Sequence, residues 1–185
     1  MSTINTTNLK NPSSALNNIV LDNAGGAAFQ QIKGGALTLD TLKTTTSGTA
    51  IDFTTVPSWT KRITVTFNGV SFSSTGSLLV QLGTSSGIEA TGYNTAGTNF
   101  AGSVSSTAGF IMANGNAGFT VLGHMVLTLL SGTTWIGSHA CSVGAGYFLL
   151  GGGSKTTAAA VDRVRITSTT GDNFDAGSIN LLYEG

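Results

Sequence analysis

Residue types able to do chemistry are sparse in this chain: six Asp, two Glu, two His and one Cys among 185 residues. His139 and Cys141 form a His-x-Cys pair, which an extended strand would set on one face as two ligands for a soft metal. Structural zinc takes four ligands and nothing nearby completes the set, so both read as core-lining or interface residues. His124 shares a strand face with Val126 and Thr128 and reads as a half-buried or interface histidine rather than a base. Asp172 and Asp175 flank Phe174 in "GDNFDAG", a spacing that offers two carboxylates for glycoside hydrolysis. In a Gly-containing loop, however, such residues are ordinary turn formers that bond their own backbone, and this reading is the stronger one. "LLGGGSK" is rich in glycine like a phosphate loop, but Lys155 follows Ser154, so the Gly-x-x-x-x-Gly-Lys-Ser/Thr order is absent. Among the 20 serines none stands out as a nucleophile. The chain is therefore expected not to be an enzyme, with no catalytic residue, no metal and no cofactor.

Binding has better candidates. The stretches "GTSSGIEATGYNTAGTNFAG" and "MANGNAGF" mix aromatics with small polar groups, a combination that stacks on sugar faces while bonding to hydroxyls. Read as loops, they make Tyr93, Asn94, Asn99 and Phe100 the candidate glycan contacts. The competing reading tucks the same aromatics beneath loops that cross the top of a sandwich.

The elements that must position these groups read as strands. In "KRITVTFNGVSF", Ile63, Val65 and Phe67 alternate with Arg62, Thr64 and Thr66, the period of a half-buried strand, and Asn68-Gly69 offers a turn or a bulge. "GALTLDTL" places Leu37 and Leu39 on one face. "FTVLGHMVLTLLSGTTWIGSHACS" is long enough for a hairpin across Ser131-Gly132-Thr133. Near the C-terminus Val164 and Ile166 face one way and Arg163 and Arg165 the other, while Ile179, Leu181 and Tyr183 share a face. The arginines can then stay hydrated or pair with acids on a neighbouring strand or subunit, such as Glu184. Helical periodicity is nearly absent. Eight to ten strands with Gly- and Ser-rich connections predict an all-β fold over residues 36–185, an antiparallel β-sandwich of jelly-roll kind. Residues 1–35 are polar and Asn-rich, with one apolar run at Ile19 to Leu21, and read as an extended N-terminal arm that needs a partner to supply burial.

Composition narrows the partners. Formal net charge is zero and only 9% of residues are charged, which argues against nucleic acid and against a polybasic membrane patch. Hydrophobic residues make up 40% of the chain, so it folds, and a surface so poor in charge tends to associate. The single Cys141 cannot form an intrachain disulfide. The start lacks a secretory pattern and the apolar runs are too short for membrane insertion, so synthesis in a cytoplasm is expected.

Several phrases carry a family likeness. "TSGTAIDFTTVPSWTKRITVTFNGVS", "LLVQLGTSSGIEATGY" and "DRVRITSTTGDNFDAGSINLLYE" resemble the β-rich domain of tail-fibre and other virion structural proteins of tailed bacteriophages. "LKNPSSALNNIVLDNAGG" resembles the short segment found ahead of that domain. The resemblance implies a virion structural protein made in the host bacterial cytoplasm, a homotrimer with host-attachment capacity. It also implies that Leu9, Pro12, Ile19, Val20 and Leu21 belong to an arm anchored on other virion proteins. No shaft-forming segment is present, which favours a short appendage: a stubby tail fibre, head fibre or decoration.

Overall fold

The structure, a computed structural model, describes residues 37–99, 102–113, 115–144 and 146–185, together with the backbone of three short strands nearer the N-terminus. The chain divides into two units, Met1–Ala36 and Leu37–Gly185. In the first, β1 (Asn8–Leu9), β2 (Ile19–Leu21) and β3 (Ala27–Phe29) pair antiparallel in that order. Leu9, Ile19, Val20 and Leu21 thus fall on strands, while Pro12 lies outside the described residues.

The second unit contains no helix among its described residues. Its strands are β4 (Leu37–Leu39), β5 (Lys43–Thr44), β6 (Ala50–Phe53), β7 (Arg62–Phe72), β8 (Leu78–Thr84), β9 (Gly87–Ile88) and β10 (Tyr93–Asn99). They continue as β11 (Gly102–Ser106), β12 (Phe110–Met112), β13 (Val121–Ser131), β14 (Thr134–Val143), β15 (Tyr147–Thr156), β16 (Arg163–Ser168) and β17 (Phe174–Glu184). A nine-stranded sheet runs β11-β10-β15-β14-β13-β7-β17-β4 with β5 also on β17, and a five-stranded sheet runs β12-β8-β16-β6 with β9 on β8. Both sheets are antiparallel throughout.

The connectivity is that of a jelly roll with one position thickened. If β13, β14 and β15 are taken as a single place in the sheet and β9 as an extension of β8, the strands from β6 to β16 follow the double Greek-key order, with β6, β8, β12 and β16 in the small sheet and β7, β10, β11 and the thickened position in the large one. The extra hairpin adds two strands, and an even insertion preserves polarity: β13 still runs antiparallel to β7, and β15 to β10.

Alternation builds the core as expected. Ile63 and Val65 of β7, Val164 and Ile166 of β16, and Ile179 and Leu181 of β17 are fully buried, with Phe67 and Tyr183 nearly so. They meet Leu78, Val80 and Leu82 of β8, Phe110 and Met112 of β12, and Met125 and Leu127 of β13. Each such side chain contributes about 1.5–3 kcal/mol through burial. The Asn68-Gly69 signal is a bulge: the β7–β13 register passes from Asn68–Leu122 to Val70–Val121. Gly69 (φ 68°) faces a matching irregularity at Gly177 (φ 96°), where a Cβ would lie 2.5 Å from the Gly69 carbonyl. The β13–β14 hairpin closes with Ser131 opposite Thr134 across Gly132-Thr133.

Two readings need correction. The stretch expected as loops around 83–102 is largely strand, containing β9, β10 and the start of β11. Glycine-rich 151–153, read only as a failed phosphate loop, sits inside the ten-residue β15. A Cβ on Gly151 would come within 2.6 Å of the Ala96 carbonyl oxygen, so these glycines allow close approach of strands rather than a turn.

Candidate functional site

On β13, β14, β15, β10 and β11 the strand period sends alternate side chains outward, and the register lines them up in rows across the sheet. One row reads Leu122, Ser142, Phe148; the next His124, Ala140, Leu150, Thr98, Ser103; a third Val126, Ser138, Gly152, Ala96, Ser105. Phe148 is 69% exposed and Leu150 51%, and Leu122 and Ile136 are also exposed. The sole Lys, Arg, Asp or Glu on these five strands is Lys155, and it points inward. Its Nζ lies 2.7 Å from Glu89 Oε2, donates to the Thr91 carbonyl at 2.9 Å, and sits 5.2 Å over the Tyr93 ring. Burial works to raise the Glu89 pKa, but the Lys155 hydrogen bond, the Ala158 N–H and the Lys155 charge together hold it below its ordinary value.

The outcome is an open, uncharged sheet face. Five strands at about 4.8 Å and some nine residues at about 3.3 Å give a patch of roughly 700 Å². That approaches the ~800 Å² per partner of a standard protein–protein interface. Moving it out of water against another protein strips no charge of its hydration. Charge returns only farther along the sheet, where Arg62 and Glu184 pair at 3.6 Å.

The residues singled out by sequence fall elsewhere. Tyr93 corrects the glycan reading: it is 3% exposed, its ring meets Phe110 edge-on at 5.4 Å, and its hydroxyl accepts from the Leu82 N–H at 2.6 Å. Burial drives its pKa upward. A phenol so enclosed cannot stack on a sugar. Asn94 is exposed on β10, the backbone of Asn99 ends that strand, and Phe100 lies outside the described residues. His124 is exposed on the outer face with Val126 and Thr128. His139 and Cys141 line the inner face, 7% and 2% exposed, and burial pushes the Cys141 thiol up to about 11.

Asp172 accepts from the Gly76 N–H and the Thr170 hydroxyl, each at 2.7 Å, and its carboxyl is held low, first by the Thr170 bond. Asp175 accepts from the Ser71 hydroxyl. Asp172 thus fixes a loop, as read, whereas Asp175 lies on β17 rather than in a turn and ties that strand to β7. Among the described residues no three His, Cys, Asp or Glu side chains cluster as metal ligands. Gly83-Thr84-Ser85-Ser86-Gly87 does spell the Gly-x-Ser-x-Gly of a nucleophile elbow. Ser85 and Ser86 occupy the turn between β8 and β9, without the strand-to-helix geometry the elbow requires.

Compared with protein-family models and with curated proteins, the chain matches none. The uncharged face itself was the feature least visible in the sequence. Its signal is that apolar residues occupy both parities of β13, with Leu122, Val126 and Leu130 outward as well as Val121, Met125 and Leu127 inward.

Proposed function

We propose that the chain is a non-enzymatic structural component of a tailed-phage virion, a short homotrimeric appendage. Residues 1–35 attach it to other virion proteins, and copies pack through the outer face of the nine-stranded sheet. The carrying observation is that face: five adjacent strands with no outward Lys, Arg, Asp or Glu and with Phe148 and Leu150 standing free. Exposed aromatic and aliphatic groups on an interface-sized, charge-free patch are the marks of a surface buried in the assembled state. The virion assignment and the number three rest on the resemblance of the segments quoted above.

Light scattering on the full chain tests the reading. The expected mass is three times 18.7 kDa, and Leu150→Glu is expected to release monomers that retain the parent's β-rich circular dichroism. A monomeric parent chain would end the assembly reading, and a trimer untouched by Leu150→Glu would move the contact to another surface.

A further inference from the structure

The small sheet presents the opposite kind of surface. Antiparallel register sets Arg165 of β16 directly across from Asp52 of β6. The guanidinium holds the carboxylate through two parallel bonds, Nε to Oδ1 and Nη2 to Oδ2, each 2.7 Å. Arg163, two residues back and so on the same face, donates to Asp162 at 2.7 and 3.1 Å. Its stem lies across Gly83, where any Cβ would come within 2.6 Å of Arg163 Cγ. Lys43 donates to the backbone carbonyl of Asp52 at 2.6 Å. Of eight Lys and Arg, Lys10 and Lys33 lie outside the described residues, and three of the remaining six gather around this one aspartate.

Asp52, Thr54, Gly87, Ile88, Arg163 and Arg165 line a recess of about 330 Å³, at the small end of the range for ligand sites. Three cations against Asp52 and Asp162 leave one positive charge in excess. Each guanidinium carries five N–H donors, of which its aspartate takes two. The arginines are thus oriented by their acids and keep donors for a third party.

We propose that this recess binds the carboxylate of an acidic sugar unit, a uronate-like ring. A planar, singly charged carboxylate matches both the guanidinium fork and the single excess charge. A phosphate dianion would bring its second charge against Asp52 and Asp162. Ring hydroxyls meet the Thr54 hydroxyl and the remaining lone pairs of Asp52, and Ile88 supplies an apolar wall for ring C–H groups. The site stands apart from the assembly reading, since a monomer would hold the sugar as well as a trimer.

Calorimetric titration of the full chain with sodium glucuronate, glucose and inorganic phosphate is the test. Glucuronate is expected to bind, more weakly as salt is added, and glucose is not. Arg163→Gln is expected to weaken glucuronate binding at least about tenfold, the effect of losing a charged hydrogen bond. Arg163→Lys, which keeps the charge without the fork, should fall between. Unchanged melting temperatures for both variants separate loss of the site from loss of the fold. Silence with glucuronate at tens of millimolar would overturn the proposal, as would equal binding of glucose, equal binding of phosphate, or an Arg163→Gln variant that binds like the parent.

Discussion

The two outer faces of this sandwich are made by the same rules and end up chemically opposed. Both sheets are antiparallel, both alternate inward and outward residues, and both share one core. On the large sheet the register aligns Leu122, Ser142 and Phe148; on the small sheet it aligns Asp52, Arg165 and Gln81. An average of 9% charged residues therefore describes neither face. The difference decides what each can do. Burying an ion pair under another protein carries a desolvation cost that its attraction does not reliably recover, whereas a neutral face carries none. The large sheet suits a protein partner, and the small sheet suits water or a small ion.

The sharpest way to break this contrast is to transplant charge. Ala140 is exposed at the middle of the neutral face, between His124 and Leu150. In an isolated domain Ala140→Arg should change stability by no more than about 0.5 kcal/mol, as surface substitutions do. In the proposed assembly the same guanidinium would be buried without a partner, at a cost of about 3–5 kcal/mol. Sedimentation of the variant should show monomers whose circular dichroism matches the parent's, melting below the assembled parent by the stability that association supplies. An intact oligomer would mean that this face stays exposed to solvent in it and that the contrast has no bearing on assembly.

Acid separates the two sheets by a second route. His139 lies on the inner side of the large sheet with no hydrogen-bond partner for either ring nitrogen among the described residues, and burial lowers its pKa from 6.5 to about 4. Between those values the unfolded chain binds a proton that the native chain does not, so stability falls as pH drops from 6.5 toward 4. The loss is at most about 3 kcal/mol. On the small sheet the hydrogen bond from Arg165, ahead of the opposing cost of burial, lowers the pKa of Asp52 below 3.8. That contribution is present above 3.8 and is lost only at still lower pH, and partial exposure makes it the smaller. Urea unfolding followed from neutral pH downward should show the first decline, and His139→Leu should remove it. A decline that survives in His139→Leu would assign acid sensitivity to other groups.

Much of the fold was legible because alternation is a strong signal wherever one face is buried. The β7, β16 and β17 cores were readable residue by residue for that reason. Legibility failed at glycine: Gly97 and Gly151 to Gly153 look like breakers in a single chain, yet here they admit close contact between neighbouring strands, which only the register reveals. It failed again at Tyr93, because a tyrosine amid Gly, Asn and Thr carries no mark of the core position its hydroxyl occupies beside Leu82. For Arg165 an acid on the neighbouring strand is the partner, as expected, and only the choice of Glu184 fails. Arg163 and Arg165 both point outward as expected, but Glu184 belongs to the other sheet and pairs with Arg62, while Asp52 sits across the strand from Arg165. The neutral face needed every one of these registers and so stayed hidden.

The smallest expected effect bears most directly on what the charged face is for. Arg165 and Asp52 are 37% and 38% exposed, so their pair is screened by solvent despite its two-pronged geometry. A double-mutant cycle with Arg165→Gln and Asp52→Asn, read by urea unfolding at neutral pH, should return a coupling of about 0.5–1 kcal/mol. The pair would then orient a guanidinium more than it stabilises a sheet, as a binding recess requires. A coupling well above about 2 kcal/mol would instead make it a structural clamp between β6 and β16. Stability alone would then account for the charge on this face, and the sugar site would lose its main physical motive.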